Sequence, residues 1–335
     1  MPTVTHADEK RLAPRATLPV IMLALATVVS AMASLNVAIP SIARDTHATQ
    51  TQLSWIIDAY ALVFAALLLL GGAIGDRHGR RRALLAGLVI FGAGSIAATT
   101  ISDPTWLIAM RGVLGVGAAL VMPATLSTIT STFPPEQKTR AVGAWAGVAG
   151  ASAIVGLLAS GVVLEVWSWR SVFALNAVLA VIAIIGTLRV IPESADPRAP
   201  RLDLVGALMT VAGLGVLVYS VIEAPSHGWV SAHTLGGIGI GLLILVGFVR
   251  WELTRENPLI DPRLFRNPAL TAATLSISFA LASSIVPKAV YCGVSPDASP
   301  YTMKNWLPLV FAPEFAIAST PRPYFSVGYT SSAKL

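Results

Sequence analysis

Gly72-Ala-Ile-Gly-Asp76-Arg77-His-Gly79-Arg80-Arg81-Arg82 sets four arginines and one acid between two long apolar runs. The chain has 335 residues, 55% of them hydrophobic and 12% charged, so this cationic knot stands out. Lys and Arg collect on the cytoplasmic side of membrane proteins, which makes the knot a marker of orientation between two spans. Orientation alone requires neither Asp76 nor the glycines. Those residues point to a tight turn with a carboxylate held among bases.

Composition fixes the broad class. A mean hydropathy of +0.72 goes with repeated apolar runs of about 20 residues, long enough to cross the hydrocarbon core as helices. The net charge of +6 lies in short loops and not along one face, so topology explains it and nucleic acid does not. Cys292 stands alone, which excludes an intrachain disulfide framework and a multi-cysteine metal site. His227 and His233 fall in an outer loop without metal-ligand company. There is no Gly-x-Ser-x-Gly element, no Ser/His/Asp arrangement and no phosphate-binding Gly-x-x-x-x-Gly-Lys loop. The sequence therefore reads as a non-enzyme with no metal and no cofactor. The first apolar run is too long for a signal-peptide core and lacks a convincing cleavage site, so it reads as a retained span.

Nine spans are expected, at 18–40, 54–74, 83–101, 105–125, 141–164, 171–190, 204–222, 235–251 and 268–286. The expected organisation is an N-terminal tail over 1–17, a six-helix half over 18–190 and a linker over 191–203. Two further spans follow over 204–251, then a loop over 252–267, the ninth span over 268–286 and an irregular tail over 287–335. With the N-terminus inside, the inner segments carry Lys10, Arg11 and Arg15, the knot, Lys138 and Arg140, and further arginines after spans six and eight. The outer loops carry only Arg44 and Arg170. This asymmetry predicts a cytoplasmic N-terminus and a multi-pass protein of the plasma membrane, with the lipid bilayer as its first partner.

Two charges fall inside the expected spans. Asp58 lies in the second and Arg111 in the fourth, each roughly 6–9 Å from the outer edge at the helical rise. A lone charge at depth costs about 2.5–3.5 kcal/mol on insertion scales, so a compensating role is expected. The functional reading is an acid that binds a proton or a substrate charge, tuned by a guanidinium. The plainer readings are a structural ion pair or snorkelling to the surface. Glycines stud the fourth span (Gly112, Gly115, Gly117) and the fifth (Gly143, Gly147, Gly150, Gly156, Gly161). In lipid, small residues let helix backbones approach, so helix packing is the expected role, for Gly115, Gly117, Gly156 and Gly161 in particular.

These elements together resemble the major facilitator superfamily, in its fourteen-span drug:proton antiporter group. Gly72, Asp76, Arg77, Gly79, Arg80 and Arg81 match the family's G-x-L-x-D-R-x-G-R-[KR] loop, with Ile74 for Leu. Arg111 to Ala119 resembles the fourth-span R-x-x-Q-G-x-G-A-A motif, with Leu114 for Gln. Asn36-Val-Ala-Ile-Pro40 resembles the end of the first-span motif, and Trp169-Arg170 with Phe173 and Asn176 the start of span six. The resemblance covers about residues 18–280. Two departures stand out. Ala31 occupies the place of the family's first-span Asp, which shifts the carboxylate of interest to Asp58. In the fifth-span antiporter signature Gly156 is present, but Leu157 replaces Pro and Ser160 replaces a Gly, so a bend is lost and direction of transport is open.

The resemblance implies an all-α membrane bundle working by alternating access, the two halves rocking about a central site. It gives the 72–82 loop the part of a cytoplasmic latch, with Asp76 meeting the opposite half and Arg80 as a supporting charge. It also implies proton-coupled efflux of a hydrophobic or cationic small molecule such as a drug or antibiotic. Metabolite transport and a non-transporting membrane subunit of a larger assembly are the alternatives. Past about Leu281 the character changes: Pro287 to Pro323 is dense in proline and holds no further apolar run of about 20 residues. That stretch reads as a non-native tail following a chain truncated after about span nine, and possession of transport activity is open for such a chain.

Overall fold

A computed structural model gives the fold and describes residues 6–195, 203–255, 267, 268, 270–272 and 274–276, with side chains from residue 16 onward. The chain divides into two compact units, Met1–Leu264 and Phe265–Leu335. In the first, eight helices follow in order: α1 (His6–Thr46), α2 (Gln50–His78), α3 (Arg80–Thr100), α4 (Pro104–Thr132), α5 (Pro135–Val166), α6 (Arg170–Val190), α7 (Leu204–His227) and α8 (Ala232–Thr254). All eight are long and apolar enough to cross a membrane. In the second unit, residues 268, 270–272 and 274–276 are helical; the rest of the expected ninth span and the tail over 287–335 lie outside the described residues.

Several helices overrun their expected spans. Hydropathy measures the stretch that lipid tolerates, whereas backbone hydrogen bonding continues until a cap ends it. α1 ends only where His47 takes a φ of 52°, and a capping box between Thr49 and Gln52 then starts α2. Asp103 starts α4 by accepting the backbone N–H groups of Thr105 at 2.8 Å and Trp106 at 3.2 Å, ahead of Pro104. Gly79, at φ 114°, separates α2 from α3 with a single residue.

α2 and α3 both pack along α4, α5 lies along α1, and α6 closes on α3 and α1. One core layer joins Ile21, Val28, Leu88, Phe91, Leu114 and Val121. A second, toward the Arg170 end, joins Leu35, Ile56, Leu107, Trp169 and Phe173. There Trp169 Nε1 donates to Asp45 Oδ2 at 3.0 Å and Arg170 donates to Ser102 Oγ at 2.8 Å. α7 and α8 form a hairpin whose ends meet where Trp251 Nε1 donates to Asp203 Oδ2 at 2.8 Å. The hairpin rests on α2, with Trp55 against Tyr219 and Trp55 Nε1 donating to Glu223 at 3.4 Å.

Glycine supplies the close approaches. A Cβ at Gly115 would stand 2.7 Å from the Tyr60 carbonyl oxygen of α2, and one at Gly117 2.7 Å from the Gly87 carbonyl of α3. A Cβ at Gly156 would stand 2.7 Å from the Ser30 carbonyl of α1. Gly161 departs from the packing role expected of it: nothing lies within 4 Å of its Cβ position. Gly143, Gly147 and Gly150 are equally open, because only one stripe of α5, through Ala141, Ser152, Gly156 and Ser160, is buried. Gly156→Ala is therefore expected to cost about 1–3 kcal/mol through overpacking. Gly161→Ala should instead be neutral or gain about 0.5–1 kcal/mol from the helix-forming tendency of Ala. Thermal unfolding of the two variants side by side checks this; equal shifts would contradict the α1–α5 contact.

Candidate functional site

Arg111 is 1% exposed, deep in α4, and its guanidinium is committed to α2. Nε donates to the Ile56 carbonyl at 2.9 Å and Nη2 to the Ile57 carbonyl at 3.4 Å. The same guanidinium lies 4.5 Å from the centre of the Tyr60 ring, and the Tyr60 hydroxyl donates to the Val28 carbonyl of α1 at 2.8 Å. One cation thus ties together three helices. α2 carbonyls are already engaged in their own helix, so Arg111 uses their second lone pairs. Asp58 follows directly after Ile57 and is half-buried. Its carboxylate forms no ion pair with Arg111 among the described residues, although Arg111 bonds the carbonyls one and two positions before it. The expected pair is therefore two neighbours on one helix joint and not a closed salt bridge.

The basic knot is built as a network. Asp76 Oδ1 accepts Arg80 Nε at 2.9 Å and Ser127 Oγ of α4 at 2.5 Å. Arg81 donates to the Leu188 carbonyl of α6 at 2.8 Å, and the Arg80 backbone N–H donates to the Ser194 carbonyl at 2.8 Å. Arg82 Nε stands 3.5 Å from Glu193 Oε2. Gly79 is required twice: its φ is positive, and a Cβ there would stand 2.5 Å from Glu193 Oε1. Gly72 lies against Pro123 of α4, where a Cβ would sit 3.4 Å from the proline Cβ. Arg77 is exposed. The loop thus joins α2, α3, α4 and the segment after α6 at one end of the bundle.

Sequence reasoning singled out Asp76, Arg80 and Arg111 but missed Ser127, Glu193, Tyr60 and the α2 carbonyls. Ser127 lies 51 positions from Asp76 and Ile56 lies 55 from Arg111, so no local pattern joins them. His227 and His233, expected in an outer loop without metal-ligand company, instead lie in the last turn of α7 and the first turn of α8, their rings stacked 4.4 Å apart and His227 Nδ1 3.9 Å from Glu223 Oε2. Among the described residues no group of three or more His, Cys, Asp and Glu could hold a metal ion.

The sequence pattern of the Major Facilitator Superfamily matches residues 21–319. The chain belongs to the Major Facilitator Superfamily. The match runs beyond residue 281, where the sequence resemblance was expected to end. Methyl viologen resistance protein SmvA of Salmonella typhimurium is 38% identical over 253 residues, 74% of this chain and 50% of its own length. Multidrug resistance protein Stp of Mycobacterium tuberculosis is 34% identical over 247 residues, 73% of this chain and 46% of its own length. The methylenomycin A resistance protein of Streptomyces coelicolor is 33% identical over 270 residues, 79% and 57% of the two chains. The chain spans about half the length of the curated relatives it matches. Among solved structures, a peptide transporter POT in complex with sulfate has the same fold at TM-score 0.53 and 16% identity, covering 72% of this chain and 52% of that one. Arg111 lies inside α4, one of the eight membrane-length helices, and the 72–82 loop lies at one end of the bundle.

Two outcomes follow from this geometry. Arg111→Met should destabilise the chain by about 2–4 kcal/mol, since charge-assisted hydrogen bonds and a ring contact are lost together. Arg111→Lys should recover only part of that, because an ammonium cannot reproduce the planar fork; detergent unfolding of both variants measures it. Gly79→Ala should cost about 1–3 kcal/mol through its positive φ and the Glu193 contact. Limited proteolysis should then cut near residue 79; a wild-type digestion pattern would contradict the assigned turn.

Proposed function

We propose that this chain is a secondary active transporter that exports hydrophobic or cationic drugs or antibiotics in exchange for protons, by alternating access. The observation that carries the reading is the buried Arg111 joint beside Asp58, an intramembrane ionisable pair in a superfamily protein whose similar relatives bear drug-resistance names. In this reading Asp58 takes and releases the proton, or meets the charge of the substrate. Arg111 keeps α2 in place through the Ile56 and Ile57 carbonyls. Because the guanidinium does not depend on the Asp58 carboxylate for its hydrogen bonds, the acid can change its protonation without dismantling the α2–α4 joint. The proton then alters the electrostatics of the joint and biases the helix arrangement.

The 72–82 loop acts as a gate on the cytoplasmic side, with Gly72, Asp76, Arg77, Gly79, Arg80 and Arg81 as its parts. Asp76 rests on Arg80 and Ser127. That contact presets the carboxylate for an opposite half, and Glu193 anchors the loop to the end of α6. The six-helix half over 18–190 would rock as a body with the 204–251 pair attached. The N-terminus and the basic end face the cytoplasm, in the plasma membrane.

Proton-driven uptake of a fluorescent cationic dye by everted vesicles bearing the full chain tests this reading. Asp58→Asn should reduce uptake to the level of empty vesicles while leaving membrane insertion unchanged. Undiminished pH-driven uptake by that variant would overturn the assignment of Asp58.

A further inference from the structure

At the basic end of the bundle a cavity of about 670 Å³ lies between α1, the α4–α5 connection and the first turns of α5. Its walls are apolar: Leu18 and Pro19 of α1, Phe133 at the end of α4, and Ala141 and Ala144 of α5. Gln137 and Arg140 supply its polar groups. Phe133 caps one membrane-length helix and Pro135 begins the next, so the cavity sits at the turn that joins them.

The charge around this cavity is mainly positive, with Glu136 the one acid in the first turn of α5. Arg140 is exposed and makes no ion pair among the described residues, although Glu136 precedes it by one turn. Lys138 lies two positions before Arg140. A cation of the kind proposed as transport substrate is repelled here, and a small free anion leaves the apolar walls uncovered. An amphiphile with a negative head satisfies both parts, and basic pockets between membrane helices take lipid headgroups for this reason.

We propose that this cavity binds an acidic phospholipid from the leaflet at the basic end of the bundle. The acyl chain covers Leu18, Pro19, Phe133, Ala141 and Ala144, and the phosphate meets Arg140 and Gln137. The site shares no residue with the Asp58–Arg111 joint, so it does not depend on the transport reading.

Native mass spectrometry of the full chain, released from nanodiscs of phosphatidylcholine mixed with phosphatidylglycerol, tests the site through the lipid it retains. The chain should keep phosphatidylglycerol with about a fivefold preference, the effect of one basic residue near the surface. Arg140→Gln should abolish the preference and Arg140→Lys should keep most of it. Ala144→Trp, which fills the cavity without changing charge, should lower retention of the lipid. Arg189→Gln, an exposed cation elsewhere at the same end, should leave the preference as it is. An unchanged preference in Arg140→Gln overturns the proposal even if Ala144→Trp does not fold. Full displacement by soluble glycerol phosphate would also overturn it, by showing a phosphate site that needs no acyl chain.

Discussion

A guanidinium in a membrane helix has no water to turn to, and in this chain that constraint is met by the backbone of a neighbouring helix. Arg111 spends its donors on the Ile56 and Ile57 carbonyls and its flat face on Tyr60. The arrangement fixes the height of α4 against α2 and, through the Tyr60 hydroxyl on Val28, against α1. Gly115 makes it possible, since any larger residue would push the Tyr60 carbonyl away and carry the ring with it. Glycine and arginine in this helix are therefore one device: the small residue brings the backbones together and the long one locks their register.

The loop at 72–82 solves a different problem with the same means. Four arginines in so short a turn repel one another, and each needs a partner or water. Asp76 takes Arg80, the Leu188 carbonyl takes Arg81, Glu193 takes Arg82, and Arg77 stays exposed. Three of the four are thus spread over separate anchors on α2, α6 and the following segment. The turn is pinned on both sides while Asp76 stays partly accessible, its side chain 42% exposed. A carboxylate kept accessible within a pinned basic turn can engage a further partner without first unfolding the loop.

Much of this was legible in the sequence, because the bilayer writes its demands locally. Apolar runs give the spans and a cluster of arginines gives the loop, while a polar residue inside a run, such as Asp58 or Arg111, announces itself. What stayed hidden was the choice of partner. The Ile56 carbonyl has no sequence signature, since every residue has a carbonyl, and Ser127 is one of several hydroxyl residues near the end of α4. The glycines show the same limit: Gly156 and Gly161 look alike in the chain, but only Gly156 lies on the stripe of α5 that meets α1. Likewise His227 and His233 are merely near each other in sequence until the hairpin stacks them.

The hairpin α7–α8 shows how a peripheral pair becomes part of the working unit. Two helices lying in lipid gain nothing from hydrophobic burial against a third, so specific contacts must hold them. α7 is joined to α8 by Gly213 and Gly241, which admit Leu245 and Leu217, and by the Asp203–Trp251 hydrogen bond with Arg255 over the indole at 4.1 Å. It is joined to α2 through Tyr219 and Glu223 on Trp55. Trp55 lies three positions before Asp58, so on a helix the two residues share a face within one turn. The hairpin therefore grips the same stretch of α2 that Arg111 fixes, and any displacement of that stretch must carry the hairpin with it or break the Trp55–Glu223 bond.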